Sequence, residues 1–230
     1  MRTRWLFVGI LCVVPVVGVA QTGKRPVVVE LFTSQGCSSC PPADAIVAQL
    51  AGTRPDVLAL SFHVTYWDSL GWKDPFSLPA ATERQQRYVA QAVSPEVYTP
   101  AMVVDGRTDV IGSDRGAVEA ALARASADLR TAAAVDVMRS AAGLAITVGA
   151  GTGAGRVLLV GYDRQHQTRI GRGENGGRTL SEANIVRSVR VAGVWTGRLL
   201  QLHEAIPAGE AFAVIVQGED GRILGAAAAS

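Results

Sequence analysis

Hydrophobic and polar positions fall into two regimes along this chain. From Val27 to Arg130, apolar runs alternate with stretches of helical period. Val27 to Thr33 is an apolar, β-branched run broken only by Glu30, the pattern of a strand buried on both faces. Ser34-Gln35-Gly36 turns the chain, and a helix follows from Cys37–Pro42 to about Ala51, with Ile46, Val47 and Leu50 inward and Gly52 closing it. Pro41 and Pro42 suit a first helical turn, whose amide hydrogens have no intrahelical acceptor. Val57 to Val64 is a second buried strand, Tyr66 to Pro75 an aromatic loop, and Pro79 to about Ala92 a second helix. After an extended Ser94–Pro100 come a third strand, Ala101–Val104, a hairpin turn at Asp105-Gly106 and a fourth strand ending at Asp109–Ile111. A helix capped by Ser113 or Asp114 then carries the stripe Val118, Leu122, Ala125 and Leu129. The predicted order is β-α-β-α-β-β-α.

After Arg130 no helical period remains. Thr131 to Ala134 reads as a linker. Val135–Met138, Leu144–Val148, Arg156–Tyr162, Ile185–Val191, Ala211–Gln217 and Arg222–Ala226 are short β-type runs separated by glycine and polar turns, with the terminal alanines as a frayed end. The expected organisation is an α/β unit over residues 24–130 and a small antiparallel β-sandwich-like unit over 134–230.

Composition adds little to this division. The chain is 230 residues long, with 48% hydrophobic and 18% charged residues, ample for a packed core. A net charge of +2 with no basic stripe gives no footprint for nucleic acid, and no glycine-rich phosphate loop follows a strand. Residues 1–20 have the form of a bacterial-type signal peptide: Arg2 and Arg4, an apolar run from Trp5 to Val17, then small residues before a cut at Gln21. The run is shorter than the roughly 20 residues of a spanning helix, so no stable membrane span is expected after cleavage. The expected location is periplasmic or secreted.

Of the three cysteines, Cys12 lies in that leader, which leaves Cys37 and Cys40. So short a loop removes little chain entropy, and a Cys-x-x-C pair points to redox or metal chemistry rather than stapling. At a strand-to-helix junction in this element order it marks a thioredoxin-like fold. Cys37, at the helix N-terminus, is the expected nucleophile because free amides and the helix dipole favour its thiolate. Cys40, on the same face and deeper, is the expected resolving thiol.

Thr99-Pro100 precedes the third strand, where a cis proline facing the dithiol would let substrate backbone pair beside it. Glu30, mid-strand, has two open readings: a buried acid that exchanges a proton with Cys40, or a carboxylate paired with a basic residue. His63, ending the second strand, is either a hydrogen-bonded core histidine or a third metal ligand beside the two thiolates. Tyr66, Trp67, Asp68, Trp72, Lys73 and Asp74 line a substrate groove or form an aromatic minicore. Arg172, Glu174, Asn175 and Arg178 read as a solvated hairpin loop, and His166 and His203 as surface histidines.

Several stretches together resemble an exported bacterial family, domain of unknown function 1223. They are Glu30 to Asp44, Ser61-Phe62-His63-Val64, Tyr66-Trp67-Asp68, Gly71 to Phe76, Val97-Tyr98-Thr99-Pro100, Gly173-Glu174-Asn175 and Val186-Arg187. The resemblance implies a thioredoxin-like superfamily fold and brings no substrate with it. Thr65 and Ala101 depart from the family pattern, which has an acidic and a polar residue there.

The leading functional expectation is a thiol–disulfide oxidoreductase acting on protein thiols or disulfides, with Cys37, Cys40, Pro100 and Glu30 catalytic, Thr99, Tyr66 and Trp67 on substrate, and no cofactor. Two alternatives stand beside it: copper binding by Cys37, Cys40 and His63, since soft thiolates and an imidazole suit Cu(I), and a redox-sensing protein-binding module.

Overall fold

The computed structural model describes residues 25–229. The expected signal peptide, residues 1–20 with Cys12, lies outside them. The elements are β1 (Val27–Thr33), α1 (Pro41–Thr53), β2 (Val57–His63), α2 (Pro79–Ala90), β3 (Ala101–Val104), β4 (Thr108–Ile111), α3 (Arg115–Ala127), β5 (Val135–Ser140), β6 (Gly143–Val148), β7 (Gly155–Arg169), β8 (Thr179–Trp195), β9 (Leu200–Glu204), β10 (Ala211–Gln217) and β11 (Ile223–Ala229). The fold is mixed α/β with a large sheet and few helices. Among the described residues no helix is long and apolar enough to cross a membrane.

Local chemistry accounts for the first half. β1 and β2 are buried at every position and pair in parallel from Val27–Val57 to Thr33–His63. Cys40 is the N-cap of α1, with proline in its first turn. Asp105 and Gly106 both have positive φ, 53° and 66°, so the β3–β4 turn has the I′ twist that matches paired strands. Asp114 caps α3 by accepting from the Ala117 amide.

The second half departs from expectation. Its strands do not form a separate sandwich but extend the first sheet, in the order β11-β10-β7-β8-β2-β1-β3-β4. The junction is β8 against β2, with Ser61 opposite Ile185, reinforced by Ser61 Oγ donating to the Ala183 carbonyl and Asn184 Nδ2 to that of Ala59. One core cluster runs across it, joining Val28, Phe32, Leu60 and Phe62 to Val160, Val186, Ala213 and Ile215. The expected linker is tied down: the Ala132 and Ala133 amides donate to the Leu224 carbonyl, and Ala133 is buried. The terminal alanines are paired, Ala226 to Ala229 lying opposite β10. Sandwich-like packing survives in one place, where the sheet β5-β6-β9 covers β7 and β10 over a core of Leu144, Ile146, Leu159, Trp195 and Phe212.

The period-2 alternation of β1 decides which side chains can reach which helix. Val27, Val29 and Leu31 face α1 and α3 with Ile46, Val47 and Leu122. Val28 and Phe32 face the other way, toward Tyr88 of α2, and Glu30 shares their face.

Candidate functional site

Cys37 and Cys40 occupy the turn between β1 and α1 and are joined as a disulfide, with Cα atoms 5.4 Å apart. The helix starts at Pro41, so Cys37 stands one turn ahead of the helix rather than on its first turn. Expectation made Cys40 the deeper of the two, but both have 0% exposure, and Cys37 is covered as fully as Cys40.

The cover comes from the far end of the sequence. The tip of the β7–β8 hairpin, residues 170–178, folds over the dithiol turn. Asn175 is fully buried, and its Nδ2 donates to the carbonyls of Gln35 and Cys37 at 3.0 and 2.9 Å. Arg178 holds the Asn175 Oδ1 at 2.7 Å, and Glu174 accepts from the Ser38 amide. The Ser38 hydroxyl first, and then that amide, hold the exposed Glu174 carboxylate below its usual range. Gly173 has φ 78°, and a Cβ there would press on Trp72 at 3.2 Å, so the tip lies against the aromatic loop only because no side chain intervenes. The sequence expectation of a solvated hairpin loop is therefore corrected: Asn175 is interior.

Thr99-Pro100 is cis, and the Pro100 Cβ and Ala43 Cβ both close on Gly112, which sets the start of β3 beside the first turn of α1. Trp67 Nε1 donates to Thr99 Oγ1 at 2.8 Å, and Trp67 lies against Gly36. Tyr66 donates to Gln85 and stays about one-third exposed. Thr99, Pro100, Trp67 and the residues leading to Cys37 are thus brought together.

Glu30 is not with them. It lies on the opposite face of the sheet from α1, gripped by Arg84 through Nε–Oε1 and Nη2–Oε2 at 2.7 and 2.9 Å, and Tyr88 donates to it. Gln217 of β10 meets both Arg84 and Tyr88. The expected proton exchange with Cys40 is excluded by that placement, and Glu30 is a structural ion-pair partner.

A different buried polar cluster stands on the dithiol's side. His63 Nδ1 meets Asp74 Oδ2 at 2.7 Å, which also accepts from the Gln35 amide at 2.8 Å. Gln35 Nε2 donates to Glu182 Oε2 at 2.6 Å, and Trp72 Nε1 donates to Gln35 Oε1. Asp44 of α1 is buried and accepts from Thr33 Oγ1 at 2.8 Å. Among the described residues, no group of three or more His, Cys, Asp or Glu side chains stands in a metal-holding arrangement.

The family described as "Protein of unknown function (DUF1223)" matches residues 28–217. The chain belongs to this family. A crystal structure of protein AGR_C_4864 from Agrobacterium tumefaciens is similar over 90% of this chain and 94% of that one, at 31% identity and a TM-score of 0.76. HBP35 of Porphyromonas gingivalis is similar over 90% of this chain and 75% of that one, at 14% identity and a TM-score of 0.59, a likeness of fold alone. No curated protein matches the chain.

In this member of the DUF1223 family the buried cluster couples stability to pH. Burial alone would lower His63, but the Asp74 charge and hydrogen bond outweigh it, with Glu182 and Asp44 adding, and raise it to about 9. Asp74 is held below its usual range: burial opposes this, but the His63 charge and hydrogen bond and the Gln35 and Phe76 amides prevail. A raised histidine contributes stability that is whole below its unfolded value of 6.5 and is lost as pH climbs through 9. The thermal midpoint is therefore expected to fall between those limits, by up to about 3 kcal/mol of stability. His63→Gln should flatten that decline in calorimetry; an unchanged slope would contradict it.

Sequence reasoning missed Asp44, Gln35 and Glu182 as site residues. Asp44 carried a readable signal, an acid on the apolar stripe of α1 one turn after Cys40. Glu182 is in strand phase with the buried Leu180.

Proposed function

We propose that this chain is an exported thiol–disulfide oxidoreductase of thioredoxin-like architecture, using Cys37 and Cys40. The observation that carries it is the joined Cys37–Cys40 pair in the turn that opens α1, with the cis Thr99-Pro100 bond beside that helix's first turn. The element order β-α-β-α-β-β-α over residues 27–127 supports the same architecture. The charge and apolar pattern of residues 1–20 support export.

In the reduced protein the Cys37 thiolate attacks a substrate disulfide. A Cys37–substrate bond forms, and the other substrate sulfur leaves as thiolate. Cys40 then attacks Cys37 Sγ, closing the disulfide and releasing the second substrate thiolate. The reverse sequence oxidises a substrate dithiol. Because Cys37 is fully covered, the 170–178 tip must lift before either direction proceeds. Redox titration in glutathione buffers tests the proposal: one reversible two-electron transition in the native chain, and none in Cys37→Ser.

A further inference from the structure

We propose that residues 35–38 of the dithiol turn form a binding site for the backbone of an extended polypeptide, and that Glu174 and Asn175 occupy this site in its place. The inference deepens the oxidoreductase proposal above and rests on it, since the polypeptide is the substrate whose cysteine reaches Cys37.

The site is defined by what its occupant offers. Asn175 Nδ2 donates to the carbonyls of Gln35 and Cys37 at 3.0 and 2.9 Å. One residue earlier, Glu174 Oε2 accepts from the Ser38 amide at 3.0 Å. Donation to two carbonyls and acceptance from the next amide is what a neighbouring strand supplies with its own N–H and C=O groups. In the hairpin tip, side chains supply it instead. Arg178 donates to Asn175 Oδ1 at 2.7 Å, and so fixes which end of the carboxamide faces the turn.

Little else holds the occupant down. Of residues 171–179 only Asn175 is buried, and the others are exposed. Lifting the tip therefore uncovers little apolar surface, and the lost hydrogen bonds are its chief cost.

The groups left bare explain which substrate takes the tip's place. A mixed disulfide at Cys37 sets the two Cα atoms roughly 5.5–6 Å apart. The substrate backbone then lies against the turn where Asn175 stood, and its amides reach the carbonyls that the tip released. A disulfide without backbone amides must open the same tip and returns nothing to those carbonyls. Glu174 and Asn175 thus determine specificity, favouring polypeptide over small disulfides. The flank fits such a partner. Tyr66 and Leu70 are 36% and 58% exposed, and their loop meets the tip where Gly71 lies against Gly173. Apolar residues beside the substrate cysteine have a surface to cover there.

The test is fluorescence anisotropy of a short, fluorescein-labelled peptide of valine and threonine with one central serine, added to the oxidised protein. Serine in place of cysteine prevents exchange, so binding is read alone. Peptide and tip compete for the same groups, so the apparent affinity follows the fraction of protein with the tip open. Asn175→Ala should tighten binding about 10–100-fold. Glu174→Ala, at an exposed position that does not threaten folding, should tighten it by a smaller factor. Glu174→Gln, which keeps an acceptor for Ser38, should bind as the native protein does. An ester in place of the peptide's central amide removes one N–H and should weaken binding about 2–10-fold. Failure of every form to bind, equal affinity of the native, Asn175→Ala and Glu174→Ala proteins, or an ester that binds as well as the amide overturns the polypeptide site and leaves the oxidoreductase proposal to its redox titration. Binding as expected by a chain with no reversible dithiol transition overturns the oxidoreductase proposal and keeps the site.

Discussion

Arg84→Met is expected to cost about 3–5 kcal/mol of folding stability, because it leaves the Glu30 carboxylate buried without its countercharge. Arg84 is itself buried, and its guanidinium makes four hydrogen bonds: two to Glu30 of β1, one to Tyr88 of its own helix and one to Gln217 of β10. Burial would lower Arg84, but the Glu30 charge and the hydrogen bonds to Glu30 and Tyr88 raise it instead. Burial pushes the Tyr88 phenol well above its usual value, so it remains a donor to Glu30. Without Arg84, Tyr88 alone faces the carboxylate. At this chain length the loss corresponds to a fall of roughly 10 °C in thermal midpoint. Replacing both charges, Glu30→Leu with Arg84→Met, should restore most of the stability, since an apolar pair of similar volume carries no desolvation cost. Disulfide exchange by the folded single variant should be native, because this ion pair and the dithiol lie on opposite faces of the sheet. Loss of exchange with native stability would contradict the placement of Glu30.

The second large effect concerns access. Asn175→Ala removes two buried hydrogen bonds from the hairpin tip to the Gln35 and Cys37 carbonyls. At about 0.5–1.5 kcal/mol each, the open state of the tip should gain about 10–100-fold in population. Reduction of the disulfide by a small phosphine proceeds only through that state if the fully covered pair is sealed as the structure has it. Its rate should therefore rise by the same factor. Asn175→Asp should go further, because a carboxylate cannot donate to two carbonyls and would face them as an acceptor. Equal reduction rates in native and Asn175→Ala protein would mean that the tip does not control access.

These two sites differ in how far the sequence anticipates them. The bounds of β1, β3 and β10 follow directly from apolar runs, and the hairpin turn and a helix cap at Ser113 or Asp114 from local chemistry. Glu30 could have been placed by parity. It is in phase with Val28 and Phe32, and a one-residue offset along a strand turns a side chain to the other face. The continuous sheet was not legible. It depends on β8 adding to β2 through one registered pair, more than a hundred residues away in the chain. The outer end of β7, Asp163–Arg169, is largely exposed and carries no apolar period, and β9 is half-exposed. Asn175 sits among glycines and polar residues, where local pattern predicts solvent. Contacts with Gln35 and Cys37, across 140 and 138 positions, hold it inside.

The most direct measurement is the midpoint of the Cys37–Cys40 couple in glutathione buffers, on metal-free chain lacking residues 1–20. The account predicts one reversible two-electron transition with a potential above about −300 mV, within reach of the glutathione couple. A value toward the oxidising end would make the protein a disulfide donor, and a lower one a reductase. A pair that stays oxidised throughout, or titrates only after a metal is stripped, would contradict the assignment of Cys37 and Cys40 as an exchanging dithiol.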